Sequence, residues 1–329
     1  MILIIGNLDK KGNNISGQTA RAREVSFLIS DIYPQEKIIE IDISNNSLNF
    51  IGLPILLYTS NKIFIIGARN FIERVGNFLN ALGLMKKCHV VPTGGWLRDL
   101  YTNSRFLFLN KASTVYIQSE KLCTTLNKYF GSQHFKHLPN FRRNYTHFPE
   151  KNKISFKVIF NSRISEDKGI FEAVTAVQTF NEQNTQQIGL DIYGQFRNTQ
   201  IERQLTRKIK NLEKINYQGI YKESEALHVI HRYDLVLFPS YYDGEGVPGS
   251  LLDAIFAGVP AIATDWNYNS EIVTNNFNGF LVPIKDANSI VQRLTSYYSN
   301  DRLVFQHSKN ALTKSKKFTY QETLKKFLI

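Results

Sequence analysis

The 329-residue chain contains only two cysteines, Cys88 and Cys123, and only two methionines and two tryptophans. Two thiols build no disulfide framework and suggest a reducing compartment. Long apolar runs are missing as well. The longest, FIGLPILLY (Phe50 to Tyr58), falls far short of the ~20 residues that span a bilayer, and a core element is its expected role. MILIIG at the start gives way at once to GNLDKKGNN, which predicts a buried first strand and not a signal peptide. Metal-ligand patterns are lacking too. The seven histidines form no H-E-x-x-H, no Asp-x-Asp occurs, and Asp243 with Glu245 has no third partner. No metal is expected. Tandem repeats and low-complexity segments do not occur.

What is present fits two globular domains. Hydrophobic residues make up 43% of the chain and aromatics 12%, enough for substantial cores. The net charge of +12 is unevenly spread. Residues 1–150 carry 18 Lys+Arg against 10 Asp+Glu, residues 151–300 carry 15 against 16, and residues 301–329 carry 7 against 2. A basic first half and tail suit nucleic acid, an anionic membrane, a phosphate-bearing acceptor, or a merely solvated face.

Strand-length apolar runs alternate with helical patterns throughout, the signature of parallel α/β architecture. MILIIG, KIIEID, NKIFIIGA, KCHVVPT and STVYIQS read as strands of a first domain, residues 1–148. FKVIFNS, IGLDIYG, INYQGIY, DLVLFPS, VPAIATD and GFLVP restart the grammar in a second, residues 149–308. Phe141 to Lys153 (FRRNYTHFPEKNK) has no period and reads as the linker. Two Rossmann-like domains, each with its own parallel sheet, are expected to face each other across a cleft, the default ligand site.

Four stretches carry candidate chemistry. YYDGEGVPGSLLDA (residues 241–254) spells G-x-G-x-x-G through Gly244, Gly246 and Gly249, with Asp265 near where a dinucleotide fingerprint wants its acid. Pro248 removes an N–H, however, and Glu245 would set a negative charge beside a pyrophosphate. A dinucleotide is disfavoured; an ordinary strand-to-helix turn with a solvated Glu remains the plain alternative. SRISEDKGIFEA sets Arg163 after a strand and Lys168 at the start of a helix, where two cations and a helix N-terminus suit a diphosphate. GNNISGQT (Gly12 to Thr19) nearly matches a P-loop, but Gln18 stands where the lysine must be, which leaves Gly17 in a turn able to meet an anion. PTGGW sets Thr93, Gly94 and Gly95 after a strand, while His89, inside that strand, reads as a core or edge histidine.

Together these residues resemble the retaining glycosyltransferases of the GT-B fold, in the family-four (group 1) type of sugar-nucleotide enzymes. The likeness rests on Glu245 and Asp253 with seven residues between them, on Arg163 and Lys168, on LFPS ending at Ser240, on SEIV at Glu271 to Val273, and on LPN at Leu138 to Asn140. GEGVPGSLLDA with ATDWNYNSEIV further resembles enzymes that assemble bacterial capsule or exopolysaccharide repeat units. The resemblance implies that Glu245 contacts hydroxyls of the donor sugar, aided by the N–H groups of Gly246 and Val247. It implies that Asp253 accepts from the ribose, and that Arg163 and Lys168 hold the diphosphate without metal. Pro248, Gly194, Ile220 and Ser240 would complete the donor pocket. Asp253 is one methylene shorter than the family's Glu, and Thr93 stands where many relatives place a His before the paired glycines. The implied partners are a nucleotide-sugar donor, a glycan acceptor that is lipid-linked, and an anionic membrane surface, with no nucleic acid. The implied location is cytoplasmic, peripheral at the inner face of the membrane, with residues 309–329 a last helix returning to the first domain. Two rival readings share the fold: a sugar-nucleotide epimerase, separated by product analysis, and a non-catalytic partner subunit, separated by donor hydrolysis.

Overall fold

The computed structural model describes residues 1–9, 17–43, 52–99, 104–143, 148–149 and 156–327. The first unit runs β1 (Ile2–Gly6), α1 (Gly17–Ile32), β2 (Ile38–Asp42), α2 (Leu53–Thr59), β3 (Lys62–Gly67), α3 (Arg69–Ala81), β4 (Cys88–Pro92), β5 (Thr114–Ile117), α4 (Glu120–Phe130) and β6 (Phe135–His137). Its sheet has the order β2-β1-β3-β4-β5-β6, with every pair parallel. Continuous apolar runs make these strands. Ile2, Leu3, Ile4 and Ile5 are all buried, as a parallel strand covered on both faces requires. Local signals bound the helices. Ser119 accepts the Leu122 N–H at the start of α4, and Gly131 ends it in the left-handed region at φ 59.

The second unit runs β7 (Lys157–Asn161), α5 (Ile170–Gln183), β8 (Gly189–Tyr193), α6 (Thr199–Ile209), β9 (Ile215–Gly219), α7 (Ala226–His231), β10 (Leu235–Phe238), α8 (Gly249–Phe256), β11 (Ala261–Thr264), α9 (Asn269–Ile272), β12 (Gly279–Val282) and α10 (Ala287–Tyr298). The order β12-β11-β10-β7-β8-β9 is again wholly parallel. Chain order jumps from one side of β7 to the other here. In such sheets ligands bind beyond the carboxyl ends of the strands flanking the switch.

Contacts divide the chain into residues 1–143 with 318–329, and residues 144–317. The expected boundary at 148/149 therefore lies five residues late. Phe141 belongs to the first core, and Arg142 bridges to Thr319, whereas Phe148 stacks on His231 with centroids 4.4 Å apart in the second unit. The expected linker is packed at both of these points; residues 144–147 and 150–155 lie outside the described residues. The return also starts later than 309. α11 (Asp301–Ser315) packs on α8, and only α12 (Tyr320–Phe327) packs on α1. Of the seven cations after residue 300, just Lys325 and Lys326 join the first unit.

The run FIGLPILLY does not serve the core as expected. In α2 only Leu57 is buried, while Ile55 and Tyr58 are exposed; Phe50 and Ile51 lie outside the described residues. Both cysteines are free and buried, and burial pushes the Cys88 thiol up to about 12 and that of Cys123 to about 11. Among the described residues no helix is long and apolar enough to cross a membrane.

Candidate functional site

Four parallel strands of the second unit end at one edge, and residues singled out in the sequence follow them. Arg163 comes two residues after β7, Gly194 directly after β8, Ile220 after the last residue of β9, and Ser240 two after β10. The turn Glu166–Lys168 then leads into α5 through Gly169, whose φ is +75. A side chain at Gly169 would strike the Pro239 carbonyl, so the glycine lets this turn close on the end of β10. Gly194, at φ +146, meets Ser162 in the same way, and its identity serves the backbone crossing of β7 and β8.

These placements converge on Lys168. Its Nζ is hydrogen-bonded and ion-paired to Glu245 Oε2, with side-chain exposures of only 10% and 12%. Ser240 Oγ donates to the same carboxylate oxygen at 3.0 Å. A nearly buried charge pair is stable only when its remaining valences are met, and Ser240 supplies one of them. Tyr242 supplies another contact. Lys168 Nζ lies 4.8 Å from its ring centroid and the Arg163 guanidinium carbon 5.3 Å from the same centroid. Two cations therefore share one aromatic ring beside one carboxylate.

The loop bearing Glu245 is held from beneath. The Tyr242 carbonyl accepts from Glu245 N at 3.1 Å and Trp266 Nε1 at 3.1 Å. Asn267 Nδ2 reaches the carbonyls of Tyr242, Asp243 and Glu245 at 3.3–3.4 Å. Asn267 takes φ +47 to do so, a left-handed conformation that asparagine tolerates better than most residues. Gly246, Val247 and Pro248 are buried, and Pro248 caps α8. Ser250 Oγ donates to the Asn161 carbonyl at 2.7 Å, fixing the helix start against the end of β7. Asp253 is the fifth residue of α8 and half-buried. Beside the site, burial, then Glu172, Glu166 and Asp167, push the Tyr241 phenol up to about 12, so it stays neutral.

The first unit places its candidates separately. Gly17 is the exposed first residue of α1, and residues 12–16 lie outside the described residues. Thr93 follows β4 almost fully buried. Its N–H bonds Gly67 O, its carbonyl accepts from Trp96 Nε1, and its hydroxyl has no hydrogen-bond partner. Gly94 takes φ +92, and Gly95 is buried. His89 stacks on Phe64 at 4.8 Å and on Tyr116 at 6.2 Å, and burial, then Lys62 and Lys136, pull its pKa down to about 4. It is a packed, neutral ring at the amino end of β4. The segment LPN has a structural partner that its sequence does not announce. Arg21 of α1 donates to the carbonyls of Leu138 at 2.7 Å and Pro139 at 3.0 Å, and to the Asn140 side chain.

Tyr242 and Asn267 were not foreseen as site residues. The only signal for Asn267 was the ATDWN wording, and an aromatic in a loop gives none. Among the described residues no group of three or more His, Cys, Asp or Glu lies together as a metal-ligand set.

Comparison with known proteins agrees with this geometry. The family profile described as "Glycosyl transferases group 1" matches residues 142–316, more than half of the chain. WcaL of Escherichia coli (strain K12), named as a colanic acid biosynthesis glycosyltransferase, is 26% identical over 153 residues, 44% of this chain and 36% of that protein. A UDP-Gal:alpha-D-GlcNAc-diphosphoundecaprenol alpha-1,3-galactosyltransferase of Escherichia coli is 31% identical over 87 residues, 26% of this chain and 22% of that protein. The match thus spans little more than a third of the first of these curated relatives and less than a quarter of the second. The Anabaena HepE structure, solved in complex with UDP, superposes with a TM-score of 0.73 over 99% of this chain and 98% of that one, at 15% identity. That likeness shows the GT-B fold.

Proposed function

Because the chain belongs to the group 1 glycosyl transferases, we propose that it is a retaining, metal-independent glycosyltransferase using a nucleoside-diphosphate sugar. Its acceptor is a growing bacterial polysaccharide or glycan on a lipid-linked carrier, met at the cytoplasmic face of the membrane. The observation that carries this reading is the Lys168–Glu245 pair under Tyr242, with Arg163 on the same ring.

Glycosyl transfer breaks the bond from the anomeric carbon to a phosphate oxygen and forms one to an acceptor hydroxyl. Negative charge grows on the departing diphosphate, and preorganised cations stabilise it. Arg163 and Lys168 are the groups for this. Glu245 accepts hydrogen bonds from donor-sugar hydroxyls, aided by the N–H groups of Gly246 and Val247, and Asp253 accepts from the ribose. Lys168 and Glu245 now bond each other; a donor lying between them would give each a new partner of the right sign. Neither carboxylate is a covalent nucleophile in this scheme. Thr93, Gly94 and Gly95 serve the acceptor side.

Polysaccharide assembly is supported by the colanic acid name of one relative, a lipid carrier by the diphosphoundecaprenol in another's, and uridine by the UDP in HepE. The test is a thermal-shift screen of UDP-, GDP-, ADP- and dTDP-sugars, since a donor bound by the native state raises its melting temperature. A UDP-sugar should give the largest rise, and no rise with any donor rejects the reading.

A further inference from the structure

We propose that one face of the first unit, built from α2, the end of α3 and the turn Ser104–Lys111, docks on an anionic lipid bilayer. The proposal rests on the lipid-linked acceptor reading and names the surface it would require.

Among the described residues the face is apolar and unpartnered. Ile55 is 67% exposed, Tyr58 58%, Leu107 53% and Phe78 52%, with Leu82 beside them. Exposed apolar residues scattered singly need no explanation, but lysine side chains tie together the segments that carry these. Lys87 Nζ donates to the carbonyls of Tyr58 at 3.0 Å and Ser60 at 3.2 Å, tying the end of α2 to the turn Met85–Lys87 that follows α3. Lys111 Nζ donates to Asn80 Oδ1 at 3.2 Å, tying the turn Ser104–Lys111 to the same end of α3. α2 has only seven residues and buries one, so packing within the chain accounts for little of its sequence.

Charge selects the occupant. Residues 52–62, 76–88 and 104–111 contain Lys62, Lys86, Lys87, Arg105 and Lys111 and no Asp or Glu. The whole first unit carries 20 Lys+Arg against 10 Asp+Glu, while the second carries 20 against 18. Arg105 lies 3.9 Å from Glu73 and Lys62 donates to the Tyr33 hydroxyl, which leaves Lys86, Lys87 and Lys111 as the cations beside the apolar tips, a pattern that matches the interfacial zone of a bilayer whose headgroups are negative. The three segments lead into the amino ends of β3, β4 and β5, whereas Thr93 follows the carboxyl end of β4. A bilayer at this edge leaves the other edge clear by about a strand length, roughly 17 Å for five residues.

The test is sedimentation of the full chain with vesicles of phosphatidylcholine, with and without phosphatidylglycerol, at low and high salt. Wild type should bind the anionic vesicles at low salt, release at high salt, and bind neutral ones at least about tenfold more weakly. Ile55→Ser with Tyr58→Ser, and separately Lys86→Ser with Lys111→Ser, should each lower binding about tenfold. Donor-induced thermal shifts should stay unchanged, since all four side chains lie outside the donor site. Equal binding by wild type and both variants, or binding to neither vesicle, overturns the proposal. So does a change of oligomeric size in the apolar variant without vesicle binding, which would mark a protein interface. Donor binding without vesicle binding removes the surface alone; vesicle binding without donor binding removes the transferase reading alone.

Discussion

Lys168 and Glu245, 77 positions apart in the chain, are joined through Nζ and Oε2 where two strands of one sheet end. Each is nearly buried, so each is the other's main compensation. Changing either one disturbs its partner as well as any ligand, and variants must be read with that coupling in mind.

Glu245→Gln keeps the shape of the side chain but leaves Lys168 facing a neutral amide. Turnover should fall about 100-fold or more with a smaller change in donor KM, because in the proposed reaction this contact orients the reacting sugar. Asp253→Asn should instead raise the donor KM with kcat largely kept, as expected for binding shared by ground and transition states. Initial rates over a donor series separate the two, and unchanged turnover in Glu245→Gln would sink the assignment.

Lys168→Ala should lose about 3 kcal/mol of transition-state stabilisation, read from kcat/KM with the best donor. Activity of the wild type should persist in EDTA. Loss of activity in chelator that manganese or magnesium restores would show that a divalent ion carries the diphosphate.

Tyr242 offers its ring to both cations, so it should preorganise them. Arg163 is otherwise an exposed side chain, and in the proposed reaction it loses rotamer freedom when a diphosphate binds. Tyr242→Leu should weaken donor binding by about 1 kcal/mol, roughly fivefold to tenfold in KM, with a smaller effect on kcat. Tyr242→Phe retains the ring face and should behave like wild type. Equal loss in both variants would mean that the hydroxyl, not the ring, matters.

His89 gives a pH dependence to stability. Its pKa is near 4 when folded and 6.5 in the unfolded chain, so between those values the unfolded chain binds more protons. Its contribution is complete above pH 6.5 and is lost as pH falls toward 4, amounting to at most about 3 kcal/mol. His89→Phe should flatten that slope, while its ring keeps the stack with Phe64 and Tyr116. Urea unfolding of both proteins at pH 7 and pH 5 checks this; parallel losses in the two would assign the slope to other groups.

The sheets were legible because parallel strands buried on both faces are written as unbroken apolar runs, and each restarts after a helix. α2 was misread for the same reason: hydrophobicity alone does not say which face finds a partner. The side that α11 joins is set by packing on α8, a contact far away in sequence, so no local pattern could mark 318 as the return point. At the site, Arg163, Lys168 and Glu245 stood out as charges beside glycines at strand ends. Tyr242 did not, because its role lies in what the folded chain brings over its ring. Asn267 acts through a left-handed backbone that many sequences could have adopted.

The chain leaves its first unit after residue 143 and re-enters it at 318. The first half is therefore not one uninterrupted stretch of coding sequence, although the second is. An exchange of the second half for that of a relative needs two splice points, and a single crossover would leave α1 facing a foreign terminal helix. Tyr320 and Thr323 are buried in that contact, so shortening the tail by a dozen residues would uncover part of the first core. Recombination can thus trade the second unit as an insert, but not by joining a head from one gene to a tail from another.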